Sequence, residues 1–211
     1  MLKKIIVLGT GGNCRDIAET IKEINNQKST NQYEFLGYLD DNNKDDSEWL
    51  GPLRDWVKYT DCYFVNGIGS TRTFLDKERI LNSLNIPDER YESIIHPSAS
   101  ISCSSTIGSG CVFFQNVVIT SRVHIGNHVM VLPNSVISHD SVIGDYTVIA
   151  GCVCISGNVT VGKSCYLGAN SSIRDGIKIS NRCLIGCGAN VVKNTNPETI
   201  WVGNPAKVME K

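Results

Sequence analysis

Counting by sixes from Ile101 meets a large apolar residue every time: Ile101, Ile107, Phe113, Ile119, Ile125, Val131, Ile137, Ile143, Ile149, Ile155, Val161, Leu167, Ile173, Ile179, Ile185 and Val191. Apolar residues make up 41% of the chain, so such an unbroken series would arise by chance about once in a million. A helix repeats its buried side every 3.6 residues and a flat strand every two, so neither accommodates period six. The pattern fits a coil in which each short strand is one side of a prism and every sixth side chain points inward. Two residues before each inward position sits a mostly small side chain, from Ala99 and Ser105 to Cys183 and Ala189. An Ile/Val-Gly pair recurs at Ile107-Gly108, Ile125-Gly126, Ile143-Gly144 and Val161-Gly162, always 18 residues apart. Three sixes therefore close one triangular turn, and residues 101–191 make about five turns. Positions 18 apart stack at one strand spacing, roughly 4.8 Å.

Residues 1–92 follow a different rhythm. Lys4 to Leu8 is a compact β-branched run that ends in Gly9-Thr10-Gly11-Gly12. Arg15 to Ile24 then has helical spacing, with Ile17, Ile21 and Ile24 on one side. Phe35 to Leu39 reads as a second strand ending at Asp40-Asp41, and Cys62 to Ile68 as a third running into Gly69-Ser70. A helix carrying Phe74, Ile80, Leu81 and Leu84 follows, and Tyr91 to Ile95 reads as a last short strand. This alternation predicts a small Rossmann-like α/β domain with a parallel sheet over 1–92, followed by an all-β coil domain over 93–211.

The formal net charge of −1 gives no reason to expect nucleic acid or an anionic membrane as partner. The apolar run after Lys3-Lys4 is too short for a signal core or a membrane span, which predicts a cytoplasmic protein. The nine cysteines contain no CxxC pair and no zinc spacing, so they read as small buried apolar residues. Three of them, Cys111, Cys165 and Cys183, fall on the small-residue line of the coil. His124 and His128 stand four apart, but along an extended chain that is about 13 Å, too far for one coil to bring both to one ion, which leaves only an interface between copies. No metal is expected.

One polar pair stands out on the coil wall. His139 lies two places after the inward Ile137, so it faces outward, and its successor Asp140 supplies a carboxylate that can orient the imidazole. One turn later, at 139 + 18, stands Gly157, which leaves room for a ligand and exposes a backbone N–H beside the ring. The loop Gly9 to Cys14, between a strand and a helix, suits a phosphate. As a dinucleotide fingerprint it fails at the third glycine, which is Cys14, and Asp40 falls 28 residues after Gly12.

These hexapeptides resemble the left-handed β-helix of the hexapeptide-repeat acyltransferases, and the ending from Trp201 to Lys207, WVGNPAK, resembles the GxPAK tail of that superfamily. The glycine loop, the acidic pair after the second strand, the His-Asp pair on the coil and that tail together resemble the NeuD/PglD-type sugar acyltransferases over essentially the whole chain. The resemblance implies a homotrimer with acetyl-CoA bound between adjacent β-helices and a nucleotide-sugar acceptor held by the N-terminal domain. It implies His139 as general base, Asp140 as its helper and Gly157 as a backbone donor near the thioester carbonyl. Gly11, Gly12, Asn13, Asp40, Asp41, Gly69 and Ser70 would hold the acceptor. Gly157, Ala169, Gly186 and Lys207 would hold acetyl-CoA. The activity implied is transfer of acetyl from acetyl-CoA to an amino or hydroxyl group of an activated sugar, in bacterial surface-glycan biosynthesis, without an acyl-enzyme. Two departures bear on the acceptor: Asn13 stands where the family often has histidine, and Val148 where some members carry a second histidine nine residues after the first. The alternatives are an O-acetyltransferase on sialic acid, a serine-type or xenobiotic acetyltransferase on the same scaffold, and a non-catalytic coil that binds CoA or a partner protein.

Overall fold

The computed structural model describes residues 2–27, 32–42 and 47–209. Its N-terminal part contains β1 (Lys3–Leu8), α1 (Gly12–Gln27), β2 (Tyr33–Leu39), β3 (Trp49–Gly51), β4 (Cys62–Asn66) and α2 (Lys77–Leu84). The strands are parallel in the order β3-β2-β1-β4. β1 lies inside the sheet and reads as a continuous apolar run because both of its faces are covered. Ile5 and Val7 pack with Ile17, Ala18 and Ile21 of α1 on one side. Ile6 and Leu8 pack with Phe64, Leu81 and Ile86 on the other. α2 stops at Asn85, which takes the left-handed conformation (φ 51°) that ends many helices.

Two expectations from the sequence need correction. Phe74 lies in the turn before α2 rather than within it. The segment 91–95 does not complete the N-terminal sheet: Tyr91 makes a single bridge to Phe64, whereas Ile94–Ile95 pairs with Val112–Phe113 and opens the coil. Ile95 falls six residues before Ile101, in phase with the hexads, and the coil register wins.

From Ile94 the chain winds in parallel two-residue strands on three faces. The first face stacks Ile94–Ile95, Val112–Phe113, Met130–Val131, Val148–Ile149, Tyr166–Leu167, Leu184–Ile185 and Ile200–Val202, with Lys207–Val208 antiparallel at its end. The second, the Val136 face, runs from Ser100–Ile101 through Val136–Ile137 and Cys154–Ile155 to Asn190–Val191. The third, the His124 face, runs from Thr106–Ile107 through His124–Ile125 and Val142–Ile143 to Lys178–Ile179. Register is 18 residues from Ile94 to Val191, as in Val136 opposite Val118 and Cys154, and shortens to 16 only at the last pairing, Leu184 with Ile200. The inward hexad residues form one core with Cys111, Cys165 and Cys183, while Ile101 and Ile107 on the first turn are only partly buried.

The first face is covered by the N-terminal domain. Its outward side chains Val112 and Met130 join the core that α1 builds with the sheet, and Phe74 meets Tyr166 with ring centroids 5.8 Å apart. A side chain on Gly69 would stand 2.8 Å from Val148, at a φ of 154° that favours glycine. Along one edge of this face Glu23 pairs with His96 and Gln115. Along the other, Lys77 donates to the His128 carbonyl at 2.6 Å and Glu78 pairs with Lys163 at 2.9 Å. The prism edge between the Val136 and His124 faces is thus the one that points away from the N-terminal domain.

Candidate active site

That distal edge is a column of paired corner residues: Ser121-Arg122, His139-Asp140, Gly157-Asn158 and Asp175-Gly176. The second of each pair is left-handed, with φ of 55° at Arg122, 59° at Asp140, 57° at Asn158 and 68° at Gly176. Asn, Asp and Gly tolerate that conformation well. His139 Nδ1 lies 2.8 Å from Asp140 Oδ2. The Arg122 guanidinium grips the same carboxylate from the turn below, Nε to Oδ1 at 2.6 Å and Nη2 to Oδ2 at 2.9 Å. Arg122 first, and His139 second, hold the Asp140 carboxyl down at about 2. An ionised carboxylate only accepts, so Nδ1 donates to it, and in the neutral imidazole the lone pair is on Nε2. The ring lies on Gly157: a Cβ there would stand 2.5 Å from Cε1 and 2.6 Å from Nε2. Only glycine admits this seat. The Gly157 N–H has no partner among the described residues.

A second concave site lies at the start of α1. A cavity of about 270 Å³ is lined by the loop Gly9 to Cys14, Asp40, the segment Gly67 to Ser70, and Thr73. It adjoins a larger cavity of about 820 Å³ that shares Gly9, Asp40, Ile68 and Thr73 and reaches Asp41, Arg54 and Arg79. The structure thus brings Gly11, Gly12, Asn13, Asp40, Gly69 and Ser70 together, with Asp41 next door. Thr10 donates to Asp40 Oδ2 at 3.0 Å and the Asn42 N–H to Oδ1 at 2.7 Å. Asp41 accepts the Leu53 N–H at 2.9 Å, so part of its carboxylate is committed to the loop. Asn13 reaches the Gly69 carbonyl at 3.4 Å and ties the two glycine turns. Cys14 takes the third-glycine place because its thiol fills the space over Gly67, whose Cβ would stand 2.3 Å from Sγ. Burial pushes that thiol up to about 12, which removes it as a nucleophile.

The residues expected to hold acetyl-CoA are not gathered in one chain. Gly157 is on the distal edge, whereas Ala169 lies at the corner between the first face and the Val136 face. Gly186 is required by packing, since a Cβ there would meet Val202 at 2.8 Å. Lys207 is exposed in the terminal hairpin, opposite Val202. His124 and His128 part company as their spacing predicts. His124 meets Thr106 on its open face at 2.8 Å, while His128 is buried against Tyr91 and Tyr146. No cluster of three His, Cys, Asp or Glu suited to a metal occurs among the described residues, and no described helix is long and apolar enough to cross a membrane.

Residues 4–84 match the PglD N-terminal domain family and residues 122–157 match the bacterial transferase hexapeptide family, which spans six repeats. The chain thus joins a PglD-type N-terminal domain to a hexapeptide-repeat coil. Its coil has the left-handed β-helix architecture of hexapeptide-repeat proteins. Among solved structures, the acetyltransferase domain of PglB from Neisseria gonorrhoeae superposes with a TM-score of 0.85 at 22% identity, covering 98% of this chain and 100% of that one. PerB from Caulobacter crescentus, solved with CoA and GDP-perosamine, gives 0.83 at 21% identity, covering 98% and 97%. WeeI from Acinetobacter baumannii gives 0.81 at 20% identity, covering 99% and 100%. At these identities the likeness is one of fold. No curated protein matches the chain.

Arg122 is the site residue that sequence reasoning missed. The signal that finds it is the same 18-residue step, 140 − 18, applied to Asp140 instead of His139.

Proposed function

We propose that this NeuD/PglD-type protein is an acetyl-CoA-dependent acetyltransferase that acts on an amino group of a nucleotide-activated sugar, with His139 as general base. The observation that carries this reading is the His139–Asp140 pair seated on Gly157. It offers a ring whose Nδ1 is held by Asp140 and whose Nε2 is the accepting nitrogen in the neutral form, with a free backbone N–H one strand spacing away. In the transfer, the acceptor nitrogen attacks the thioester carbonyl and gives its proton to Nε2 as the C–N bond forms. The Gly157 N–H stabilises the oxyanion, the C–S bond breaks, and the leaving thiolate takes the proton back from the imidazolium. Asp140 stabilises that imidazolium. All cysteines stand aside in this scheme.

The domain division at 92/93 assigns the acceptor to the N-terminal cavities and the chemistry to the coil. α1 presents its N-terminal N–H groups to the smaller cavity, which favours a phosphate, and PerB was solved with both CoA and a GDP-sugar. The N-terminal domain covers the face opposite the His139 edge, so one chain does not bring its own acceptor cavity to its own base. The split of Gly157 from Ala169 and Lys207 leads to the same reading for acetyl-CoA. A homotrimer that sets the distal edge of one prism beside the N-terminal domain and opposite corner of the next resolves both. Thiol release from acetyl-CoA across UDP-, dTDP- and GDP-linked amino sugars tests the reading. Release with at least one of them supports it, whereas release only with serine, sialic acid or xenobiotic acceptors, or with none, overturns it.

A further inference from the structure

We infer that Arg122 is a positioning residue for the reaction, holding Asp140 so that His139 stays in the neutral tautomer with Nε2 free. The inference rests on the assignment of His139 as base. Without Arg122, Asp140 would be an exposed carboxylate at a corner, held by its contact with His139 Nδ1 alone and no longer fixed in orientation. With it, both carboxylate oxygens are fixed from the turn below, in the two-point geometry that arginine alone among cationic side chains supplies. The main chain of Arg122 is itself anchored, its N–H donating to Ser104 Oγ at 3.1 Å. The left-handed φ of Arg122 and Asp140, one turn apart, directs both side chains to the same edge.

Arg122 also sets the charge around the base. Going along the edge, the turn below His139 supplies the Arg122 cation and its own turn the Asp140 anion. The turn above supplies the uncharged Gly157 and Asn158, Asp175 lies a further turn away, and Cys103 and Ser104 lie below Arg122. The base therefore faces a neutralised pair rather than a lone carboxylate. A lone carboxylate would hold the imidazolium more tightly and keep the base protonated to higher pH. Arg122 thus keeps the helper from becoming a trap for the proton it helps to move.

A plain structural role, pinning consecutive turns at an exposed edge, would contribute little and would move only stability. The discriminating measurement is the pH dependence of kcat/KM for Arg122→Gln and Arg122→Lys beside wild type. Arg122→Gln is expected to lose about tenfold in kcat and to shift the acidic limb of the profile upward by about half a pH unit. KM for acetyl-CoA should be unchanged. Arg122→Lys restores the charge but not the fork, so the limb returns while part of the loss in kcat remains. In an Asp140→Asn background the substitution of Arg122 should have no further effect. A wild-type profile and kcat in Arg122→Gln overturn the inference, as does a shifted melting temperature with an unshifted profile. His139→Ala in the same series separates the two readings. If it stays active, the base assignment itself fails. If it is inactive while Arg122→Gln behaves as wild type, only the role of Arg122 fails.

Discussion

At position 157 a single methyl group decides whether His139 can lie where it does. A Cβ there would stand 2.5 Å from the ring. His139 is about half exposed, at 53% of its side chain, so the ring can swing into solvent instead of straining the coil. Gly157→Ala should therefore lower kcat by about 100-fold, through loss of orientation and of proton transfer. Its unfolding free energy should change by less than about 1 kcal/mol. Steady-state rates together with a urea titration check this, and full activity in the alanine variant would mean the ring needs no such seat. His139, Asp140 and Gly157 are legible in the sequence because stacking turns a distance in space into the constant step of 18. Arg122 obeys the same arithmetic, but an arginine on an outer wall reads as solvated. Its hold on Asp140 runs through left-handed corners that recur every six residues, as at 116, 122, 128, 134 and 140, but the period says nothing of which corner side chains pair.

Among the elements, α2 and the corner it docks on carry an unusual load. Lys77, the first residue of α2, is fully buried at the domain contact with the His128 carbonyl as its hydrogen-bond acceptor, and burial lowers its ammonium from 10.5 to about 7. Below pH 7 both folded and unfolded chains are protonated there and the folded state bears the whole desolvation cost. Between pH 7 and 10.5 the unfolded chain binds the extra proton, so this group's contribution to stability rises with pH. Lys77→Met removes that dependence. Its unfolding midpoint relative to wild type should be most favourable near pH 7 and lose ground steadily by pH 9, measured by urea titration. A constant difference across that range would show that Lys77 is not the group responsible. The docking face itself can be read from the outward hexad positions. Every third one is large and apolar (Val112, Met130, Val148, Tyr166, Leu184), whereas Thr106, Thr160 and Lys178 mark an open face. The short β3 and the membership of Ile94–Ile95 in the coil are harder to read. Three residues carry no periodicity, and a two-residue strand at a domain border suits either sheet until its register is known.

Over the whole molecule, the N-terminal domain on one prism face and His139 on the opposite edge set a testable geometry. If the acceptor cavity of one chain serves the base of its neighbour, two inactive variants should complement. Chains carrying His139→Ala and chains carrying Gly11→Glu, which places a carboxylate at the mouth of the glycine loop, should each be inactive alone. Mixed at equal amounts by co-expression, a site works when one neighbour keeps its histidine and the other its cavity. Half times half gives recovery of about a quarter of wild-type activity in a closed ring. No recovery would place both halves of the site in one chain. The central claim, that the His139 edge performs acetyl transfer, is tested most directly by the rate of thiol release from acetyl-CoA with an amino-sugar nucleotide in His139→Ala. The account predicts loss of at least about 100-fold in kcat with an unchanged melting temperature and unchanged acetyl-CoA binding. A variant that transfers acetyl at the wild-type rate would contradict it.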